Sequence, residues 1–393
     1  MPWKELCIVG AREQFVLRAL EKDVNFSALC REAGISRKTG YKWLERYREN
    51  GLVGLDNASR RPRTSPLKVS AELATLVVKI RVQHPSWGAR KIRRVIELDE
   101  LTDEPLPSER TINRILTRSG LLLPRRRRKK VERNGPTEAP KLVVKRCNDV
   151  WTVDFKGWWL GVDKHRIEPL TVRDAHSRYI LGITIMASTK TDTVKAVFEE
   201  LFKTYGIPKA ILTDNGTPFV ASNGRLGLTQ LSAWWTKLGI EHVRTRPSTP
   251  SDNGGHERMH RDIAAEIEVL GDSLGRMQYQ EAADRWRHDF NLHRPHEAIG
   301  MMRPGDIYQR SDVEYRGAPD DYEYPKGLRV VPVNKRGQIW AFRKLASISH
   351  ALHQEKVGLK RLSEGVFDVY FRDKKLGKTD LNKQSSKIEP VFW

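Results

Sequence analysis

The chain has 393 residues, too many for one ordinary hydrophobic core, so about two to four domains are expected. Seventy Lys and Arg against 49 Asp and Glu give a formal net charge of +21, which favours a polyanionic partner, with nucleic acid as the leading candidate. Three cysteines without a CxxC pair exclude a zinc site of that kind and suit a reducing compartment. With no apolar run of the ~20 residues that cross a bilayer and no signal-peptide segment, we expect a cytoplasmic protein without a membrane segment.

The first predicted domain, residues 1–58, has the pattern of three helices. Helical periodicity runs from Glu13 to Asn50 and is broken at Asn25 and at Gly34 to Ser36, which predicts a helix, a second helix, a tight turn and a third helix. The third helix has three positions with inward spacing: Tyr41, Leu44 and Tyr47. Its other side carries basic residues suited to a DNA major groove: Arg37, Lys38, Lys42 and Arg46. A three-helix bundle with a charged face would share this pattern.

A basic linker, residues 59–69, is predicted to join this domain to a second helical domain, residues 70–123. Helices are expected at about 70–83, 89–98 and 108–118, an arrangement that resembles a second helix-turn-helix or winged module. The middle helix carries residues predicted to contact DNA: Arg90, Lys91 and Arg94.

A second basic linker, residues 124–146, contains a cationic run that includes Arg125 and Arg126. Such a run is often only a solvated linker. Because it follows two helical modules that are predicted to contact DNA, it would instead follow DNA phosphates.

Residues 147–310 have the pattern of an α/β domain. Three β-rich segments, a helix and a short strand are followed by further helical and β-like segments. In one of the last helices, four apolar residues recur with helical spacing and are expected in the core: Tyr279, Ala283, Trp286 and Phe290. Residues 311–393 alternate β-like segments with turns, which predicts a small β-barrel, a probable DNA-binding domain.

Three acidic residues within the α/β domain stand in distinctive settings. Asp154 and Asp214 end short apolar runs typical of strands, and Glu257 lies just inside a helix whose start is predicted at Thr249 and Pro250. Two strands and a helix could bring the three carboxylates together, which is unfavourable unless cations neutralise them. Hard divalent ions such as Mg²⁺ prefer oxygen ligands, so the pattern predicts a metal site.

Two other aspartates are weaker candidates for the metal site. Asp163 and Asp174 lack the strand-end or glycine-rich settings of Asp154 and Asp214. We expect Asp174 to form a local salt bridge with Arg173 or Arg178 instead.

With these residues assembled, the chain resembles DDE-type transposases of bacterial insertion sequences, which share the ribonuclease-H-like catalytic core of retroviral integrases. The resemblance rests on blocks in the family's order: Trp151–Asp154; Thr213–Gly216 with Phe219; Pro250–Gly254 with Glu257, Arg258, His260 and Arg261; and Phe290–Asn291 with Arg294–His296. At the front, Leu29–Trp43 looks like the helix-turn-helix with which such enzymes recognise element ends.

The resemblance implies a DNA transposase that binds terminal inverted repeats, cleaves at element ends and joins the 3′-hydroxyl to target DNA by two-metal phosphoryl transfer. It implies Asp154, Asp214 and Glu257 as the catalytic residues and metal ligands, and two Mg²⁺ ions that Mn²⁺ would replace. The expected partners are double-stranded DNA, from the element ends and the target, and further copies of the chain assembled on DNA. In the cell, the DNA-bound protein would be associated with the nucleoid.

The third block also suggests DNA contacts, by Asn253, Arg258 and Arg261. The spacer between Asp214 and Glu257 is longer than is usual in the superfamily, which predicts a loop insertion within 221–228. If Glu257 were not the third ligand, Glu266 or Glu268 would replace it.

Two other functions share parts of this pattern. One is a non-catalytic, transposase-derived DNA-binding regulator, although such a protein gains nothing from three clustered acids near a phosphate backbone. The other is a structure-selective nuclease of the same fold, which would not need two N-terminal helical modules.

Overall fold

The computed structural model describes residues 8–57, 69–122, 142–221, 224, 226–246, 253–319, 321–383 and 386–390. The chain forms two compact units, Met1–Val69 and Ser70–Trp393. Most of both predicted linkers, with Arg125 and Arg126, lies outside the described residues. Within the described ranges, no helix combines the length and the apolar character needed to cross a membrane.

The first unit contains the three predicted helices: α1 (Ile8–Ala19), α2 (Phe26–Glu32) and α3 (Arg37–Asn50). Asn25 and Ser36 cap α2 and α3, because their side chains accept hydrogen bonds from the backbone N–H groups of Ala28 and Thr39. Gly34, in the turn between these helices, has a φ of +67°, a conformation that glycine adopts readily. The helix-turn-helix arrangement is therefore confirmed.

The inward face of α3 differs from the prediction at one position. Leu44 is buried and Tyr47 is half-buried, but Tyr41 is 51% exposed. The inward position is instead Gly40, where an added Cβ would lie only 2.8 Å from the Cys30 sulfur. Tyr41 lies at the edge of the core, where its ring stacks on Phe26 with centroids 4.3 Å apart.

The second unit begins with three helices close to their predicted positions: α4 (Ala71–Gln83), α5 (Ala89–Leu98) and α6 (Glu109–Arg118). Ser70 and Ser108 cap α4 and α6. These helices pack on one another through buried apolar side chains that include Val77, Ile92 and Ile112. The helical character of this region is therefore as expected.

A mixed sheet forms the centre of the second unit. Its strands are β1 (Val150–Phe155), β2 (Trp159–Leu160), β3 (Arg166–Asp174), β4 (Ile180–Met186), β5 (Ala210–Thr213) and β6 (Glu241–Arg244). β3 pairs antiparallel with β1, β4 and the short β2, whereas β1, β5 and β6 pair in parallel. The order β4-β3-β1-β5-β6 therefore places β1 at the centre, with β5 beside it.

Helices cover both faces of this sheet. They are α7 (Thr191–Tyr205), α8 (Gln230–Lys237), α9 (Gly254–Glu266), α10 (Arg276–Leu292) and the short α11 (Pro304–Ile307). Residues of α7 and α8, such as Phe198 and Trp235, pack with Trp151 and Val153 on one face. α9 and α10 pack on the other face against Ile183 and neighbouring isoleucines. The stripe predicted to be core is buried there in full: Tyr279, Ala283, Trp286 and Phe290.

The C-terminal region folds into two sheets. Its strands are β7 (Arg329–Pro332), β8 (Gln338–Ala341), β9 (Lys344–Ser347), β10 (Lys356–Ser363), β11 (Val366–Phe371), β12 (Lys374–Asp380), β13 (Ser386–Lys387) and β14 (Glu389–Pro390). The first sheet has the order β14-β12-β11-β10-β7, and the second has the order β13-β9-β8. Neither sheet closes on itself among the residues placed, so the structure does not show the closed barrel that we expected.

Part of the predicted insertion lies between the core and these sheets. Leu226 is buried in the apolar cluster of the C-terminal sheets, Leu228 packs against that cluster, and Ala233 of α8 also belongs to it. Lys237 at the end of α8 forms a salt bridge of 2.7 Å with Glu355. The loop that follows Asp214 thus contributes to the packing of the C-terminal sheets.

Candidate active site

Asp154 and Asp214 lie at the same edge of the central sheet. Asp154 is near the end of β1, and Asp214 directly follows β5, its parallel neighbour. The turn after β5 is fixed by two hydrogen bonds: Gly216 N–H donates to Asp214 Oδ1 at 3.1 Å, and the Asn215 side chain donates to the Thr245 carbonyl at 2.8 Å. An added Cβ at Gly216 would lie 2.9 Å from Asp214 Oδ2, so glycine leaves room for this carboxylate.

Glu257 is in the first turn of α9 and is exposed. The start predicted for this helix, at Thr249 and Pro250, lies outside the described residues. Among the described residues, α9 begins at Gly254. Asn253 precedes it without capping it, since its side-chain oxygen lies 3.1 Å from His256 Nδ1.

The three acids interact electrostatically. Burial raises the pKa of Asp154 to about 7, and the negative charges of Asp214 and Glu257 contribute to the increase. Among the described residues, no Lys or Arg forms a salt bridge with any of the three. Asp154 therefore experiences the negative charge of both other acids, and no Lys or Arg salt bridge compensates it within this part of the protein.

His260 is a contact that the sequence reasoning missed. Its Nδ1 lies 3.8 Å from Asp154 Oδ2, and its Nε2 lies 2.9 Å from the Thr171 hydroxyl, which donates to the Asp154 carbonyl. Burial lowers the pKa of His260 to about 4, so the imidazole is neutral at pH 7 and does not balance the Asp154 charge. Its place three residues after Glu257, one helical turn away, was the signal available in the sequence.

The donor set fits a divalent metal ion in chemistry and charge. Carboxylate oxygens are hard ligands, and a bound cation would favour the ionised form of Asp154 against the burial and the repulsion that raise its pKa. The described residues contain no group of three or more His, Cys, Asp or Glu side chains placed to hold one ion. Asp154 is the one of the three whose pKa is raised in part by both others.

Four domain families match the chain. A helix-turn-helix domain matches residues 11–63, a homeodomain-like domain matches residues 39–116, and two integrase core domains match residues 144–250 and 238–304. The 39.2 kDa protein of insertion element IS476 from Xanthomonas euvesicatoria is 26% identical over 279 residues, 70% of this chain and 76% of that protein. The 31.7 kDa protein of insertion element IS407 from Burkholderia multivorans is 24% identical over 259 residues, 65% of this chain and 87% of that protein.

The chain therefore contains helix-turn-helix and integrase core domains and is similar to proteins of insertion elements. Among solved structures, the catalytic core domain of HTLV-2 integrase in complex with magnesium is similar, with 15% identity and a TM-score of 0.32. The alignment covers 42% of this chain and 98% of that domain. The residues that match the two integrase core domains include β1, β5 and the three acids.

Asp174, one of the two weaker candidates for a metal ligand, forms hydrogen bonds elsewhere. Asp174 is buried and accepts hydrogen bonds from the backbone N–H groups of Asn148 and Ser177 and from the Ser177 hydroxyl. Its expected salt bridge with Arg173 or Arg178 is wrong for the residues described, because Ser177 and Asn148 take up both carboxylate oxygens.

The two glutamates that could replace Glu257, and the exposed Asp163, also have partners elsewhere. Glu266 accepts a hydrogen bond of 2.7 Å from the Trp286 indole and lies 3.7 Å from Arg294. Glu268 forms a salt bridge with Lys156. Asp163 accepts hydrogen bonds from two backbone N–H groups.

Four of the residues predicted to contact DNA lie along α3. Arg37, Lys38 and Lys42 are exposed, and Arg46 is half-buried with its guanidinium 5.3 Å from the Trp43 ring centroid. These positions are compatible with DNA contact, which stays a prediction.

Three basic residues of α5 are close to the integrase core. Arg94 donates to the Met301 carbonyl at 3.2 Å and forms a salt bridge with Glu97 on its own helix. Arg90 lies 3.7 Å from Glu297, and Lys91 is half-buried with its pKa lowered to about 8, mainly by burial and then by Arg294. DNA contact by these residues stays a prediction, but part of their charge is used within the unit.

The last predicted contacts lie on and before α9. Arg258 and Arg261 are exposed, and the Arg261 Nε donates to the Glu257 carbonyl one turn earlier at 3.4 Å. Asn253 contacts His256. DNA contact by these residues also stays a prediction.

Proposed function

We propose that the protein is a DNA transposase that binds the terminal inverted repeats of a mobile element, cleaves at the element ends and joins the 3′-hydroxyl to target DNA. The observation that carries the proposal is the sheet edge that Asp154 shares with Asp214, where the charges of Asp214 and Glu257 help to raise the pKa of Asp154, in a chain with an integrase core domain. Acids in this arrangement suit metal-dependent phosphoryl transfer, since clustered negative charge beside a DNA phosphate is otherwise unfavourable.

Asp154, Asp214 and Glu257 would hold two Mg²⁺ ions, for which Mn²⁺ would substitute. When bound, the ions would activate the attacking hydroxyl and stabilise the leaving oxygen. Asp154, whose pKa is raised in part by both other acids, would be shared between the two ions. Thr171 and His260 would hold Asp154 in position through the contacts given above.

The helix-turn-helix of the first unit would recognise the element ends. Ser36 caps the start of α3, and the exposed side of this helix carries Arg37, Lys38 and Lys42. A capped helix with an exposed basic side suits the major groove of DNA. Because two ends must be joined in one reaction, we expect several copies of the chain to assemble on DNA.

Removing two cations of α3 tests this assignment. The double variant Lys38→Ala/Lys42→Ala should weaken binding to a terminal-repeat duplex about tenfold or more near 0.1 M salt and reduce the slope of log K against log salt by about two. Fluorescence anisotropy at several salt concentrations measures both quantities. Lys203→Ala, which removes an exposed lysine paired with Glu200 on α7, is the control and should change neither. An unchanged slope in the double variant would contradict the role of α3.

The proposed reaction is tested with labelled element ends, Mg²⁺ or Mn²⁺ and a target plasmid. We expect strands nicked at the element terminus and, later, products in which the labelled end is joined to the plasmid. Specific binding without nicking would indicate a non-catalytic regulator instead. Cleavage of branched DNA without terminal repeats and without joined products would indicate a structure-selective nuclease.

A further inference from the structure

A second charged cavity lies beside the candidate active site, under the start of α9. Its volume is about 190 Å³, and none of the three acids lines it. The residues that define it come from four segments of the second unit: Lys91, Arg173, Arg178, Gly255, Arg258 and Arg294. The cavity therefore gathers five cationic side chains that are far apart in sequence.

The acids around this cavity balance only part of its charge. Asp262 forms a salt bridge of 2.6 Å with Arg294, and Glu297 lies 3.7 Å from Arg90, which does not line the cavity. Within the ranges that the structure covers, the other four cations have no salt bridge. They are Lys91, Arg173, Arg178 and Arg258. The cavity lining therefore carries more positive than negative charge, since these two acids face five cations.

Arg173 is the most deeply placed of these cations. It is 4% exposed, and its Nε–H has no hydrogen-bond acceptor among the described residues. The neighbouring Asp174 forms no salt bridge with it among the described residues, because that carboxylate accepts hydrogen bonds from Ser177 and Asn148, and its negative charge offsets the loss of hydration only in part. Burial and the charge of Arg178 lower the pKa of Arg173 to about 9. A buried guanidinium without a partner is costly, so an anion in the cavity would stabilise the fold.

Gly255 brings the helix start close to this guanidinium. An added Cβ at Gly255 would lie 2.1 Å from Arg173 Nη2, so a side chain there would displace the arginine. The first turn of a helix also carries backbone N–H groups without helical partners, which favour anions. The buried arginine and the helix start therefore act on the same small cavity.

We propose that this cavity is a phosphate-binding pocket with Arg173 as its buried donor. A phosphate group is compact, carries negative charge and accepts several hydrogen bonds, which matches unpaired guanidinium and ammonium groups around a cavity of about 190 Å³. The ligand is either a backbone phosphate of DNA or a free phosphate, which share this chemistry.

The position of the pocket favours the DNA backbone, a step that rests on the proposed function. Thr171 of β3 lies opposite Asp154 of β1, and Arg173 lies two residues further along β3. Because side chains alternate along a strand, Arg173 and Thr171 share a face, about 7 Å apart along the strand. A phosphate held by Arg173 would thus lie beside the one that reacts at Asp154, and would fix the position of the DNA.

The first experiment uses the full chain and inorganic phosphate, without DNA or divalent metal. Phosphate should raise the unfolding temperature relative to chloride at equal ionic strength, and calorimetry should give a Kd that rises at least about tenfold in Arg173→Met. In chloride alone, Arg173→Met should be no less stable than the wild type, because it removes an unpaired buried charge. Arg285→Met, which changes an exposed arginine on α10, is the matched control and should bind phosphate normally.

A second variant covers the case in which Arg173→Met does not fold. Lys91→Gln changes a half-buried residue at the same cavity and should also raise the Kd for phosphate several-fold. The proposal is overturned if phosphate does not stabilise the wild type more than chloride does. It is also overturned if the folded variants bind phosphate as the wild type does.

Duplex DNA distinguishes the two sources of the phosphate. With a DNA backbone phosphate as ligand, both variants should weaken duplex binding and lower the salt slope by about one, and free phosphate should compete with DNA. If the two variants bind duplex DNA as the wild type does but bind inorganic phosphate more weakly, the result supports the pocket and identifies free phosphate as its ligand. Neither arm requires cleavage, so an inactive wild-type enzyme would count against the proposed function and not against the pocket.

Discussion

Replacing Asp154 with asparagine is expected to lower the rate of Mg²⁺-dependent nicking of element ends at least about a thousandfold, while duplex binding stays within about twofold. Both Asp214 and Glu257 raise the pKa of Asp154, so its loss removes the carboxylate that the two others would share with the metal ions. Asparagine keeps the shape of the side chain but loses its charge. The residues of α3 that we propose to contact DNA belong to the other compact unit and are unchanged.

The measurement is the rate of nick formation on a labelled terminal-repeat duplex, together with its Kd in the same buffer. Asp163→Asn is the matched control, since it makes the same chemical change at an exposed aspartate of the same core and should leave nicking intact. Cleavage by Asp154→Asn at the wild-type rate would refute the assignment of the three acids. Loss of both cleavage and binding would point to misfolding, which circular dichroism would detect.

The same substitution should stabilise the metal-free protein at neutral and alkaline pH. The pKa of Asp154 is raised from its ordinary value of 3.8 to about 7, so folding favours the protonated carboxyl. The contribution of this carboxyl to the free energy of unfolding is fully present below about pH 4, and it is lost as the pH rises towards 7. Since one pKa unit corresponds to about 1.4 kcal/mol, the wild type should lose up to about 4 kcal/mol relative to Asp154→Asn between pH 4 and pH 8.

Chemical denaturation followed by tryptophan fluorescence suits this measurement, because most of the tryptophans belong to residues 70–393. Mg²⁺ should restore the stability of the wild type at pH 8 and have little effect on Asp154→Asn, because metal bound only to the folded state stabilises it. If the stability difference between the two proteins were independent of pH, Asp154 would not be a buried carboxyl beside two other acids.

The sequence predicted best the features that depend on local patterns. The helices of residues 70–122 are close to their predicted bounds, because Ser70 and Ser108 supply caps and the apolar residues keep a helical period. Asp154 and Asp214 fall at a shared sheet edge as their strand-end settings indicated. These signals are contained within a few consecutive residues.

Features that depend on distant contacts were less predictable. The basic residues of α5 suggested DNA contact, but charge alone does not reveal that Arg94 would bond to the Met301 carbonyl more than 200 residues away. Arg173 and Asp174 are adjacent in sequence, yet strand alternation separates their side chains, and Ser177 satisfies the aspartate. Likewise, no local pattern indicated that the C-terminal strands divide between two sheets.

The leucines of the loop after Asp214 make the integrase core and the C-terminal sheets difficult to separate. Leu226 and Ala233 are buried among the apolar residues of the C-terminal strands, although both lie between two of the proposed metal ligands in sequence. A fragment ending near residue 310 would lose that cover and expose these apolar side chains. The C-terminal sheets thus complete the apolar packing of the integrase core, and a stable fragment that contains this core is expected to need them.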